Sequence, residues 1–86
     1  MRLNHDFITH HSDGKLVMVC LDRKKFSGIV KCNESAAFII DLLKNDISKD
    51  EIINKMIEEY NVDKDVACND ANKVIKVLND IGALDG

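Results

Sequence analysis

Eighty-six residues, 45% apolar and 31% charged, suffice for one domain with a compact core, taken as residues 1–86. A net charge of −3 lacks the basic excess that nucleic acid or an anionic membrane surface demands. The opening MRLNHDFITHH holds no apolar stretch of signal-peptide type, and the longest apolar run, residues 16–21, is far short of a membrane span. A cytoplasmic protein with no membrane partner is therefore expected.

In chain order, residues 5–11 are weakly strand-like, and Ser12-Asp13-Gly14 is a turn signal. Residues 15–21, KLVMVCL, form the strongest strand in the sequence. Both alternating faces of that strand are apolar, which predicts a central strand covered on both sides. Residues 22–25 are polar and read as a hairpin loop. Residues 26–32 return as a third strand, in which Gly28 suggests a bulge or a close backbone approach. Connections this short put the three strands in meander order.

Asn33 then passes the chain directly into a helix. Its side-chain oxygen suits an N-cap, and Glu34 places negative charge at the positive end of the helix dipole. The first helix is expected over residues 34–44, with a break at Asn45-Asp46. Ser48-Lys49-Asp50-Glu51 is a capping box opening a second helix that runs to about Tyr60. In that helix Ile52, Ile53, Met56, Ile57 and Tyr60 recur at three- and four-residue steps. Asn61-Val62-Asp63 is a further break, with Asp63 available to cap the last helix, residues 64–81. There Ala67, Ala71, Val74, Ile75, Leu78 and Ile81 share one face, and Gly82 stands as the C′ glycine. Val66, Asp70, Lys73, Val77 and Asp80 form a flanking stripe of mixed character. Periodicity alone leaves two readings of that stripe: a wide buried face, or a surface that packs against something outside the core. The expected fold is α+β and winged-helix-like, a three-stranded antiparallel sheet followed by a three-helix bundle.

No catalytic motif is readable. The four glycines are scattered and make no phosphate-cradling loop. His5, His10 and His11 stand near the start without a positioned Cys or Asp partner, and no further ligands lie at metal-binding spacing. Cys20, Cys32 and Cys68 are odd in number and unpaired in spacing, so they read as small core residues rather than a disulfide framework or zinc site. Glu58-Glu59 and Asp63/Asp65 read as a solvated face and helix-start charges. A non-enzyme with no cofactor and no metal is expected. A winged-helix DNA-binding regulator is the alternative, with Arg23-Lys24-Lys25 as a basic wing tip. The carboxylates Asp63, Asp65, Asp70 and Asp80 around the last helix, against Lys64, Lys73 and Lys76, speak against it.

The stretch Phe26-Ser27-Gly28-Ile29-Val30-Lys31-Cys32-Asn33-Glu34-Ser35-Ala36-Ala37 carries a resemblance. It is similar to the strand of the PqqD-like family, the RiPP recognition elements, followed there by Leu-Asn-Glu-(Ser/Thr)-(Ala/Gly). Downstream, Ile52-Ile53 to Tyr60-Asn61-Val62-Asp63 looks like the family's apolar second helix and its Tyr-Asp-Val-Asp type break. Asp70, Leu78 and Gly82-Ala83-Leu84 match its last helix and Gly-x-Leu ending. The resemblance runs from about Asp6 to Leu84. Cys32 departs from the family's usual Leu; the smaller side chain is expected to loosen core packing there and does not bear on the binding argument.

The resemblance implies a non-catalytic, peptide-binding module for natural product or cofactor biosynthesis. Such domains bind the leader segment of a ribosomally synthesised precursor peptide and present its core to a modifying enzyme, often a radical SAM (S-adenosylmethionine) protein. The leader adds as a strand to the third strand and lies against the last helix. An exposed strand edge can supply the unpaired N–H and C=O groups for this, with pockets selecting alternate side chains. On this chain the implied contacts are the backbone of Ser27, Gly28, Ile29, Val30 and Lys31. Ile29, Val66, Val77 and the stem of Lys73 would line the groove. Lys31 and Lys73 would meet leader carboxylates, and Asp70 would fix the polar end. The expected partners are a leader peptide and a modifying enzyme, with no nucleic acid. Because a free edge can pair with a second copy, a monomer or weak homodimer is expected.

Overall fold

The computed structural model describes residues 1–22, 24 and 28–85. After a two-residue strand, β1 (Arg2–Leu3), the chain forms β2 (Phe7–Ser12), β3 (Lys15–Cys20) and β4 (Ile29–Cys32). These three make an antiparallel sheet in the order β2-β3-β4. The Asp13-Gly14 turn joins β2 to β3 with φ values of 53° and 75°. Positive φ at both central residues is what a right-twisted two-residue hairpin requires, and Asp followed by Gly tolerates it. Of the expected loop and strand over residues 22–32, Arg23, Lys25, Phe26 and Ser27 lie outside the described residues. Gly28 precedes β4 at φ 126°, and a Cβ built there would meet nothing within 4 Å. The backbone dihedral, and not a close approach, is what selects glycine at this point.

The inward face of the sheet carries Phe7, Leu16, Met18 and Cys32, all buried, with Cys20 and Val30 packed against them. Three helices close this face: α1 (Glu34–Leu42), α2 (Lys49–Tyr60) and α3 (Lys64–Asp80). The outward face bears Ile8, Val17, Val19 and Ile29, and no helix lies over it: Ile8 is 45% and Ile29 64% exposed. The expectation that β3 is covered on both sides is corrected here. All three helices follow the sheet in the chain, α1 packs on β3 and β4 from the inward side and the helices pack on one another, so one face of β3 is left without a cover.

The helix boundaries follow local chemistry. Asn33 Oδ1 accepts from the Ala36 amide at 2.8 Å. Ser48 Oγ accepts from the Glu51 amide at 3.2 Å and donates to the Glu51 carboxylate at 3.1 Å. Asn61 ends α2 in the left-handed region, φ 50°. Asp63 is the N-cap of α3 by backbone position but makes no side-chain capping bond, which corrects the capping role expected for it. Past the end of α3, the Gly82 amide donates to Asn79 O and the Ala83 amide to Leu78 O. With Gly82 at φ 74°, these two bonds complete a Schellman motif. α1 stops two residues earlier than expected. Its final turn tightens into i→i−3 bonds, Lys44 N–H to Asp41 O and Asn45 N–H to Leu42 O.

A second, two-stranded sheet pairs β1 with β5 (Leu84–Asp85). Sequence pattern did not predict it, because two residues show no period. Long-range bonds hold it: Leu3 N–H to Leu43 O and Asn4 N–H to Ala83 O, both 2.7 Å, and Asn4 Nδ2 to Asp85 Oδ1 at 2.8 Å. The Met1 amine lies 2.9 Å from the Asp46 carboxylate and holds that group below its ordinary pKa. Among the described residues no helix is long and apolar enough to cross a membrane.

Candidate functional site

Among the described residues β4 pairs only with β3, so its other edge carries main-chain N–H and C=O groups with no described strand beside them. The chain turns from β4 into α1 through the single residue Asn33, which sets the first turn of α1 beside this edge. α3 packs on α1 and runs past it. Between β4 and α3 lies a cavity of about 210 Å³, with β4 and Asn33 along one wall, Ala36 and Ile40 of α1 at its base, and Lys73, Val74, Val77 and Leu78 of α3 along the other.

The floor of this groove belongs to the core: Ile40, Leu78 and Cys32 are buried. The small side chain of Ala36 leaves the space open above them. Val77, 50% exposed, stands at the rim with an uncovered aliphatic face. Lys73 is exposed, as is Lys31, and neither has an ion-pair partner among the described residues. The groove thus combines an apolar bottom, an open strand edge and the Lys73 ammonium, while Lys31 borders it from β4 with its side chain on the outward face. Burial also pushes the Cys32 thiol pKa up, so it stays protonated in the groove at neutral pH. Nothing here resembles a nucleophile with its base. Among the described residues no three His, Cys, Asp or Glu side chains are placed to hold a metal, and the three cysteines are free.

The expected site residues divide. Val30, Lys31, Lys73 and Val77 come together around the groove. Ile29 stands on the opposite face of the sheet, across from Val19, and lines a different concavity. Gly28 precedes the strand and is exposed, while Ser27 lies outside the described residues. Val66 and Asp70 share the α3 stripe but not the groove. At 1.5 Å per residue, Val66 lies roughly 16 Å along the helix from Val77. With Val66 at 46% and Val77 at 50% exposed, the stripe is a surface feature and not a wide buried face.

Cys32, Asn33, Ala36, Ile40, Val74 and Leu78 also line the groove and were not foreseen. Cys32, where the chain departs from the family's usual Leu, forms part of the groove wall as well as the core. The shorter side chain leaves more room at that point than Leu would.

The sequence profile of the family described as coenzyme PQQ synthesis protein D (PqqD) matches residues 15–84. That span takes in β3, β4, all three helices and the groove, and the chain belongs to the PqqD family. Among solved structures, that of TbiB1 in complex with the TbiA(beta) leader peptide aligns with a TM-score of 0.84 at 21% sequence identity. The alignment covers 100% of this chain and 96% of that one, so the two share a fold throughout. No curated protein matches the chain significantly.

Proposed function

We propose that this domain binds the leader segment of a ribosomally synthesised precursor peptide in the groove between β4 and α3. The leader adds as a fourth strand on β4, and the domain holds it for a modifying enzyme, such as a radical SAM protein, without chemistry of its own. The observation that carries this reading is the open edge of β4 running beside an apolar groove. Membership of the PqqD family supports it, as does a shared fold with a protein solved with a leader peptide.

The physics is that of strand addition to a winged-helix-like frame. Main-chain bonds along β4 supply a sequence-independent part, of roughly 1 kcal/mol net per bond. Selectivity comes from alternate peptide side chains that reach the groove. One aliphatic side chain buried against Val30, Val74 and Val77 adds roughly 1.5–3 kcal/mol. Lys73 favours a leader carboxylate beside that anchor, Lys31 favours one on the leader's other face, and Asp70 and Val66 extend the contact along α3 towards its start.

The test is an amide NMR titration of the labelled domain with the leader half of a small peptide encoded beside this gene. Shifts should fall on Gly28 to Asn33 and on Lys73 to Leu78, and Val77→Asp should weaken binding at least tenfold while the fold is kept. Shifts spread elsewhere, or affinity unchanged by Val77→Asp, would remove this reading. A DNA duplex added to the same sample tests the alternative of a regulator, which the exposed Asp63, Asp65 and Asp80 oppose.

A further inference from the structure

Among the described residues, the exposed large apolar side chains are Ile8, Leu21, Ile29, Val66 and Val77. Val66 and Val77 belong to the α3 stripe. The other three belong to the outward face of the sheet. Ile8 is opposite Val19, and Val19 is opposite Ile29, so three β-branched side chains form one unbroken cross-strand row. Leu21, two residues on from Val19, continues the same face by alternation and is 64% exposed. The next row is different in kind: His10 is opposite Val17, and Val17 is opposite Lys31. Lys15 lies beyond it. The face is therefore apolar at one end and basic at the other. A concavity of about 810 Å³ spans both ends, and among the described residues Asp13 is the one carboxylate that lines it.

We propose that this outward face is where the enzyme that modifies the peptide docks, through an amphipathic helix flanked by acidic residues. The inference rests on the leader-binding reading for the identity of the partner. Three observations choose the occupant. The first is width. Strands spaced about 4.8 Å apart put the outer two of three roughly 10 Å from each other, the diameter of one α-helix. The second is area. Three strands about five residues long present roughly 300 Å². A stable dimer needs about 800 Å² per partner, so a second copy of this chain would hold poorly on this face alone. A helix from an enzyme that also grips the core of the same precursor needs far less, because the peptide tether raises its local concentration. The third is charge. Lys15, Lys31 and His10 call for carboxylates at one end of that helix.

β4 makes the two surfaces continuous. Its Val30 and Cys32 face the groove side, while its Ile29 and Lys31 face outward. A leader added to β4 extends the outward face by one strand, and every second leader side chain lies beside Ile29 and Lys31. A helix docked there touches both the domain and the leader. The enzyme therefore binds the leader-loaded domain more tightly than the empty one.

The experiment measures, by titration, the affinity of the modifying enzyme encoded beside this gene for the full chain, with and without the leader peptide. Wild type is compared with Ile8→Glu and Lys15→Glu, neither of which touches the groove. Ile8→Glu should lower enzyme affinity at least tenfold and Lys15→Glu several-fold with a weaker salt dependence. Both should leave leader affinity within twofold and the amide spectrum folded. Unchanged enzyme affinity in both variants, with leader binding intact, would place docking elsewhere and overturn the proposal. A wild-type dimer that Ile8→Glu disperses in sedimentation would also overturn it, making the face a contact between copies. If wild type binds no leader yet Ile8→Glu still weakens the enzyme, the leader reading fails and the docking face stands.

Discussion

Met18 and Val19 are neighbours in the chain and opposites in the fold. Met18 is fully buried between the sheet and the helices, and Val19 sits half-buried in a face with no layer above it. Both side chains are apolar, and both belong to the run that makes β3 the strongest strand in the sequence. The difference teaches that alternation tells which side chains share a face, while the fate of that face depends on how many helices the chain has left to cover it. With three helices on one side, the other side keeps its apolar character and remains open to an outside partner.

That contrast can be broken by mutation, starting with the largest effect. Met18→Ala should cost about 2–5 kcal/mol of stability, the range for emptying a packed core position. Val19→Ala should cost about 1 kcal/mol or less, since the site has no packed layer to leave a cavity in. Urea unfolding of the two single variants measures the gap, and equal losses would mean that the outward face is packed after all. A smaller effect sharpens the comparison at the groove. Lys73→Glu should leave stability within about 0.5 kcal/mol, as expected for an exposed substitution. It should weaken an acidic leader several-fold and lose most of its salt dependence in the same titration.

The smallest effect concerns the Cys32 thiol, whose pKa burial raises above its ordinary value of 9.0. A group with a raised folded-state pKa contributes stability that is present below its unfolded pKa and lost as pH rises through the folded one. The stability difference between wild type and Cys32→Ala should therefore be constant through neutral pH and shrink above about pH 9. Denaturation at a series of alkaline pH values reads it directly. A difference that grows with pH would show that the thiolate is the favoured form.

Much of the framework was legible because short-range chemistry announces it. Asn33, the Ser48–Glu51 pair, Asn61 and Gly82 mark helix ends by hydrogen bonds that span no more than five residues. The Asp13-Gly14 turn fixes the register of β2 against β3 in the same local way. What was not legible depends on distant partners. β1 and β5 are two residues each and exist only because the chain ends meet beside Leu43 and Ala83. Val74 and Leu78 read as part of the apolar face of the last helix; Leu78 is buried, Val74 and Ala36 are partly buried against the core, and the groove uses atoms they leave exposed, which no periodicity reports. Ile29 could have been separated from Val77 by counting, since it is one residue out of phase with Val30 and shares its face with Lys31. The resemblance pointed to the strand and the helix that form the groove, and the fold decides which side of that strand looks into it.

The pairing of Arg2 with Asp85 carries a practical consequence. Antiparallel partners sit roughly 5 Å apart at their Cα atoms, so the first and last described strands can be bridged by a very short linker. The domain is thus a natural cassette. It can be grafted into a surface loop of a host protein with both junctions at one point. A permuted form would join β1 to β5 and reopen at the Asp13-Gly14 turn, while β4, α1 and α3 stay contiguous.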